Sequence, residues 1–345
     1  MAQVTDLIEN KGLDLDATEM YAAILGESPS KGAKSPSLWN AAFDGLNISG
    51  FMHPMDVIPE KLEQVAAALK ADKRYMGGAV TMPYKITLIP FLDRLEPEAE
   101  VIGAVNGIYR EGDDLVGTNT DGAGAIHCLK ADYGEDLAGK AVLLIGTGGA
   151  GYAVAAYVAR AIGAGGSLYL ANRSPEPAEK LAGKLSVQCK TKAVPFPLEA
   201  GSFGDVDIVI NCSSLGFESS KRDRRGAYSH LHFTPLGPVE DSLRVPLGEN
   251  VQARFLEAAK EAVSVNFAAS ASCLADMGKA YVMDIIYQPR ETLMLWLAKS
   301  LGLRTQNGAA MNLEQAVIAF DKATAAAGLR EADAAPVREL MGKVW

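Results

Sequence analysis

Between Lys140 and Ser174 the chain reads KAVLLIGTGGAGYAVAAYVARAIGAGGSLYLANRS, and this stretch limits the fold more than any other. Ala141 to Ile145 is a short continuous apolar run, the pattern of a strand buried on both faces of a parallel sheet. Gly146-Thr147-Gly148-Gly149-Ala150-Gly151 follows, then an Ala-rich helix-forming segment from Tyr152 to Ala164, then a second apolar run from Ser167 to Ala171. A Gly-x-Gly-x-x-Gly pattern in strand–turn–helix–strand order marks a dinucleotide-binding βαβ unit. Gly146 permits the tight turn, Gly148 lets a pyrophosphate approach the backbone, and Gly151 lets helix and strand pack closely. With Gly149 and Ala150 they open the helix, whose N–H groups and positive dipole end suit phosphate.

The end of the second strand selects the cofactor. A carboxylate there accepts hydrogen bonds from the ribose 2′-hydroxyl of NAD. Here the position carries Asn172-Arg173-Ser174, which holds no carboxylate to repel a 2′-phosphate. Arg173 can pair with that phosphate and stack on adenine, so NADP is favoured, with NAD as the alternative.

The 345 residues suffice for two domains, and a hydrophobic content of 48% supports a large core without disulfides. A formal net charge of −9 argues against nucleic acid and anionic membrane as partners. Cys128, Cys189, Cys212 and Cys273 are far apart and form no CxxC, which suits a reduced, cytoplasmic chain. The polar, acidic start MAQVTDLIEN does not read as a signal peptide, and Arg160 interrupts the best candidate for a membrane span.

Before the glycine turn, apolar runs at Tyr21–Gly26, within Asn47–Val57 and at Met76–Thr81 read as strands. Helices are expected from Ser35 to about Asp44, with Ser35 as N-cap and Pro36 behind it, and from Pro59 to Ala71. Tyr84 to Leu92 reads as a further helix with Lys85 in its first turn. Gly103–Tyr109 and Asp114–Thr118 form a hairpin about Glu111-Gly112-Asp113, and a linking helix runs from Ala123 to Tyr133. After Ser174, strands at Lys192–Phe196, Val206–Asn211 and Val282–Ile286 alternate with helical segments at Pro175–Leu185, Arg290–Leu301 and Met311–Ala326. The alternation predicts an α/β fold with parallel sheets.

Several segments in order carry a resemblance: KSPSLWNAAF from Lys34, AVTMPYK from Ala79, GAVN from Gly103, GTNTDG from Gly117, GTGGAG from Gly146, NRS from Asn172, NCSSLGF from Asn211, DIIYQPRET from Asp284 and NGAAMNLEQAVIAF from Asn307. The chain resembles the shikimate dehydrogenases and their quinate-using relatives. The resemblance implies an N-terminal α/β substrate-binding domain and a Rossmann-type, doubly wound dinucleotide-binding domain, with a cleft between. The first is expected to span 1–122, completed by helices from 307–345, and the second 123–306. It implies hydride transfer between NADP and the C3 hydroxyl of a cyclohexene carboxylate. Lys85 and Asp121 match the family's catalytic pair, and the chemistry is sensible on its own terms, because oxidising a secondary alcohol also requires its hydroxyl proton to leave. Thr81, Asn106 and Gln315 match hydroxyl-binding positions, Ser35 a carboxylate-binding serine, and Tyr287 a residue near the carboxylate and nicotinamide. Gly308 and Met311 match residues lining the nicotinamide. No metal is implied, and the chain is expected to act as a monomer or homodimer.

Three departures bear on substrate and cofactor. The family's Ser-x-Ser-Pro is Ala33-Lys34-Ser35-Pro36 here, Gly107 follows GAVN where Thr is common, and Pro177 stands where a second basic residue often follows the strand end. Residues 218–266 exceed the family's loop and contain Lys221-Arg222-Asp223-Arg224-Arg225, His230 and His232 and an amphipathic stretch from Asn250 to Val263. A solvated loop followed by a helix is expected, acting either as a partial lid that tunes which acid is accepted or as a surface or dimer element. Two rival functions stand beside the main one. A relative could use quinate, an aminoshikimate or another ring hydroxy acid, with NADP or NAD. A nucleotide-binding regulator without turnover would have no use for the intact Lys85 and Asp121.

Overall fold

The computed structural model describes residues 3–218, 220–240 and 242–345. These fall into two compact units, 1–124 with 312–345, and 125–311. The divisions come later than the expected 122 and 306, because each lies inside a continuous helix and no linker composition marks it.

In the first unit the strands are β1 (Met20–Gly26), β2 (Gly50–Asp56), β3 (Tyr75–Val80), β4 (Arg94–Leu95), β5 (Gly107–Glu111) and β6 (Asp114–Thr118). They form one sheet in the order β2-β1-β3-β5-β6-β4. The sheet is mixed rather than parallel throughout. β1 is parallel to β2 and β3, whereas β5 runs antiparallel to β3 and β6. The short turn at Gly112 makes β6 antiparallel to β5, since a parallel partner needs a long crossover. Side-chain alternation along β1 builds an apolar layer on each face. Tyr21, Ala23 and Leu25 pack with Val65 and Leu69, while Ala22 and Ile24 pack with Trp39, Phe43 and Phe320. The helices are α1 (Val4–Leu7), α2 (Ser35–Gly45), α3 (Leu62–Ala71), α4 (Tyr84–Thr87) and α5 (Pro97–Ile102), and α6 (Asp121–Tyr133) leads on into the second unit. The helix expected from Tyr84 to Leu92 is only one turn of α-helix, continued as a 3-10 turn at Ile89–Phe91 that contains Pro90. Proline has no N–H for an i→i−4 bond and breaks the ladder there.

The second unit is a parallel sheet of β7 (Ala141–Ile145), β8 (Ser167–Ala171), β9 (Lys190–Val194), β10 (Ile208–Asn211), β13 (Tyr281–Asp284) and β14 (Thr305–Gln306). Its order is β14-β13-β10-β7-β8-β9, which is the doubly wound arrangement with its direction reversing between β7 and β10. α7 (Gly149–Ile162) and α8 (Pro175–Leu185) follow the first two of these strands. Between β10 and β13 the chain forms an antiparallel pair, β11 (Ser220–Asp223) with β12 (Gly226–Ser229), then α9 (Val251–Asp276). α10 (Leu293–Ser300) and α11 (Ala309–Ala326) come next, the latter running on into the first unit, and α12 (Ala334–Gly342) ends the described elements.

The long segment after β10 is therefore not a solvated loop. Ala227, Phe233, Val245, Phe255 and Ala259 are buried together and form a small core of their own. Apolar side chains spread singly along the segment converge only when the β-pair lies on α9, so no local pattern announces them. The side chain of Lys221 lies outside the described residues. Among the described residues no helix is long and apolar enough to cross a membrane.

Candidate functional site

Lys85 lies in the single turn α4 after Pro83, and Asp121 is the first residue of α6. Lys85 Nζ donates to Asp121 Oδ2 at 2.7 Å. The opposite oxygen, Oδ1, accepts from Asn106 Nδ2 at 2.8 Å. The backbone fixes Lys85 and Asn106 in turn. Val105 N–H donates to the Lys85 carbonyl at 2.7 Å and Asn106 N–H to the Thr118 carbonyl at 3.0 Å. Asp121 is mostly buried and Lys85 about one-quarter exposed, so the pair opens to solvent on the lysine side.

Around this pair lies a closed polar network. Asn106 Oδ1 accepts from Thr120 N–H at 2.7 Å, and Thr120 Oγ1 donates to the Gln315 carbonyl at 2.9 Å. Gln315 Oε1 lies 3.3 Å from Asn106 Nδ2, and Gln315 Nε2 donates to the Asn312 carbonyl at 2.9 Å. Asn119 Oδ1 accepts from Asp121 N–H at 3.2 Å. The structure thus brings together four of the expected site residues: Lys85, Asp121, Asn106 and Gln315. Thr120, fully buried inside GTNTDG, had no assigned part. Its signal is its place directly before Asp121 on a strand-to-helix turn.

The remaining substrate-binding candidates are placed less directly. Thr81 is half-buried beyond the end of β3, its N–H donating to the Leu25 carbonyl at 2.9 Å. Ser35 is half-buried and is not an N-cap. Lys34 before it is already right-handed (φ −81°, ψ −25°) and Ser35 is the first helical residue, without a side-chain cap bond. An N-cap needs an extended residue, and the turn in which Ala33 N–H bonds the Pro29 carbonyl leads into the helix one position earlier. Tyr287 belongs to the second unit, in the turn after β13, and is half-buried.

In the second unit the glycine turn has the geometry a dinucleotide needs. Gly146 has φ +94°, and a Cβ there would lie 2.7 Å from Ser213 N. A Cβ on Gly151 would lie 1.9 Å from the Gly146 carbonyl oxygen, so helix and strand meet there with no side chain between them. At Gly148 and Gly149 the same construction meets nothing within 4 Å, leaving open space over the start of α7, where Ala150 is also placed. Thr147 Oγ1, within the turn, is buried without a hydrogen-bond partner among the described residues. An open backbone surface at a helix start and a polar atom awaiting a partner fit a bound pyrophosphate. Asn172 Oδ1 accepts from Thr147 N–H at 3.1 Å and ties the turn to the end of β8.

Gly146, Asn172, Arg173 and Ser174 line an open cavity of about 520 Å³, bounded across from them by Ser213 and Ser214 after β10. Gly308 approaches the chain so closely that a Cβ would fall 1.9 Å from the Ile285 carbonyl oxygen. Met311 is buried in this unit's core with Cys128 and Met283.

Residues 25–108 match the shikimate dehydrogenase substrate binding domain. A curated shikimate dehydrogenase (NADP(+)) of Desulforamulus reducens is 32% identical over 297 residues, covering 85% of this chain and 86% of that one. One from Moorella thermoacetica is 34% identical over 312 residues, covering 89% of each chain. The chain belongs to the shikimate dehydrogenase family. Among solved structures, the shikimate 5-dehydrogenase of Thermus thermophilus, in complex with NADP(H) and shikimate, superposes with a TM-score of 0.66 at 25% identity, covering 94% of this chain and all of that one.

Two shikimate dehydrogenase segments, NCSSLGF and DIIYQPRET, also contain a buried cluster that sequence reading left unassigned. Asp284, fully buried at the end of β13, accepts from Asn211 Nδ2 and Ile286 N–H at 3.0 Å each and from Thr292 Oγ1 at 2.7 Å. Burial pushes its carboxyl up to about 7, against the pull of these three hydrogen bonds. The cluster joins β10, β13 and the start of α10, where Thr292 is the N-cap. Among the described residues no group of three His, Cys, Asp or Glu could hold a metal ion.

Proposed function

We propose that this chain is an NADP-dependent oxidoreductase of the cytoplasm that interconverts shikimate and 3-dehydroshikimate. The observation that carries the reading is the Lys85–Asp121–Asn106 arrangement, a partly exposed ammonium–carboxylate pair held rigid from behind by a buried amide. Such a pair serves an alcohol whose hydroxyl proton must leave as its carbon loses hydride. The names of the curated relatives support the same substrate and cofactor.

NADP bound along these residues would supply the hydride acceptor for C3. The protein supplies the rest. Lys85 contacts the C3 oxygen: as the amine it takes the hydroxyl proton when the alcohol is oxidised, and as the resulting ammonium it returns that proton in the reverse direction, while Asp121 holds Lys85 in place and balances the ammonium's charge. Thr81, Asn106 and Gln315 position ring hydroxyls, Ser35 and Tyr287 the carboxylate. The glycine turn Gly146–Gly151 with the start of α7 binds the pyrophosphate, and Arg173 with Asn172 and Ser174 the adenosine end. Gly308 and Met311 lie toward the nicotinamide. The buried cysteines Cys128, Cys189, Cys212 and Cys273 suit a reducing compartment.

The test is an absorbance assay of reduced nicotinamide with shikimate and quinate, each with NADP and NAD. Shikimate with NADP should give the highest kcat/KM. Preference for quinate, or for NAD, would replace the reading with that of the family's other ring-acid dehydrogenases, and no turnover with any pair would reject it.

A further inference from the structure

The cavity beside Arg173 has a second wall, and that wall is made by the long segment after β10. Arg225, Tyr228, His230 and Arg244 line it opposite the end of β8. With Arg173 they place three guanidinium groups around one space. In a chain of net charge −9 such a cluster of guanidinium groups suits an anionic ligand by its geometry and hydrogen-bond donors.

The wall is fastened on every side. β12 pairs with β11 along one edge, and along the other Ala227 and Val245 exchange backbone hydrogen bonds of 2.8 and 2.9 Å. That bridge sets Arg244 beside Tyr228, with its guanidinium carbon 3.9 Å from the ring centroid. A guanidinium stacked on an aromatic face is oriented as a plane, and its edge N–H groups suit a phosphate. Gly216 N–H donates to the His230 carbonyl at 2.8 Å, and His230 Nδ1 lies 3.0 Å from Ser214 Oγ. The wall is thereby joined to the loop at the C-terminal end of β10, beside the point where the sheet's direction reverses and ligands bind.

The anion's position follows from the other wall. The pyrophosphate belongs over Gly148 and Gly149 at the start of α7. The cavity runs from Gly146 to Asn172-Arg173-Ser174, where the ribose 2′-position of a bound dinucleotide comes. The helix after Ser174 opens Pro175-Glu176-Pro177 and brings no cation in its first turn. We propose that Arg225 and Arg244, carried by the segment between β10 and β13, bind the 2′-phosphate of NADP together with Arg173, so that this segment sets cofactor choice. The proposal rests on the NADP assignment made above. It gives Arg225 of the basic run a target on the cofactor rather than on the substrate acid. A phosphate monoester carries about −1.5 to −2 charges at neutral pH and is matched by guanidinium pairs.

The test uses 2′,5′-ADP and ADP, which share adenosine and a 5′-phosphate but differ in where the second phosphate sits, and neither carries a nicotinamide. Calorimetric titration of the whole chain and of Arg225→Ala, Arg244→Ala and the double variant gives the affinities. Each single variant should weaken 2′,5′-ADP by about 10-fold or more and leave ADP within about 2-fold, with Arg173→Ala as the benchmark. Parallel losses for both ligands, or no loss for either, would overturn the proposal. Arg244→Lys, which keeps charge but loses the planar stack, separates recognition from folding, and if Arg244→Ala lowers the melting temperature then Arg225→Ala carries the decision. Because no substrate is present, the result does not depend on which acid is oxidised. A chain that discriminates 2′,5′-ADP through these arginines yet turns over no shikimate keeps this inference and loses the proposed substrate.

Discussion

Asn106 grips Asp121 by the carboxylate oxygen that Lys85 does not use, 2.8 Å from Nδ2 to Oδ1, and so fixes the orientation of the carboxylate that faces the lysine. Nδ2 also lies 3.1 Å from Thr120 Oγ1 and 3.3 Å from Gln315 Oε1. An amide nitrogen has two hydrogens, so these acceptors compete, and the shortest contact goes to the charged one.

Asn106→Ala should therefore act on both rate and stability. It frees one oxygen of Asp121 and strips the acceptor from the buried Thr120 N–H. The orphaned donor costs about 1–3 kcal/mol of stability, read by chemical denaturation. A fall in kcat of about 10-fold or more is expected, with Asn106→Asp restoring less than half of it because a second carboxylate then faces Asp121. An unchanged kcat in a folded Asn106→Ala variant would remove Asn106 from the site.

Lys85→Ala and Asp121→Ala should each lower kcat by about two orders of magnitude or more, the usual scale for a positioned proton-transfer group. For Lys85→Ala the affinity for shikimate, measured by titration, should change far less than the rate. The double variant should lose little beyond the worse single one, since the two groups act as one unit. Near-normal turnover in both singles would place the chemistry elsewhere.

The reach of the sequence differs from element to element for physical reasons. The βαβ unit was legible because buried parallel strands are continuous apolar runs and the glycines have fixed duties, so Gly146 and Gly151 fall where expected. Lys85, Asp121 and Asn106 could be named only through their motifs, since nothing in spacing says that residues on α4, α6 and the turn before β5 meet. Ser35 was placed one position off because a capping serine and a first-turn serine look alike until the backbone of Lys34 is seen. After β10 the amphipathic stretch from Asn250 marks α9, but the part before it was misread as a solvated loop because a basic run dominates its local composition, whereas Phe233, Val245 and Phe255, which fold it, are far apart in sequence.

Two glycines of the same turn should respond in opposite ways. Gly151→Ala drives a methyl into the Gly146 carbonyl, backbone that has nowhere to go, and should cost about 1–3 kcal/mol of stability through forced movement of α7 against β7. Gly148→Ala meets open space at an ordinary backbone angle (φ −73°) and should leave the melting temperature within a few degrees. Its methyl stands where the pyrophosphate comes, so the KM for NADP should rise by about 10-fold or more. A stable Gly151→Ala protein, or unaltered cofactor affinity in Gly148→Ala, would mean that the turn is packed otherwise.

Asp284 gives stability a pH dependence of unusual sign for a carboxylate. Its carboxyl sits at about 7 in the folded chain, against 3.8 as the ordinary value. Between those values the folded protein holds a proton that the unfolded chain has released, so unfolding releases it and is favoured as pH rises. The stability linked to Asp284 is thus fully present below about pH 4 and lost as pH climbs through about 7, at close to 1.4 kcal/mol per unit inside the window. Carboxylates such as Asp93 and Glu96, held below their ordinary values by Lys70 and Lys322, act in the opposite direction and mask this in the intact protein. Asp284→Asn isolates it. An asparagine keeps the acceptor for Asn211 and Ile286 and can donate to Thr292 Oγ1, so the cluster survives without a titrating group. Denaturation free energies of both proteins at intervals from pH 5 to 8 should show the variant gaining on the parent steadily up to about pH 7 and level thereafter. Every other group titrates alike in the two proteins and cancels in the difference. A difference that stays flat across that range would mean that Asp284 is ionised throughout and that its three donors outweigh its burial.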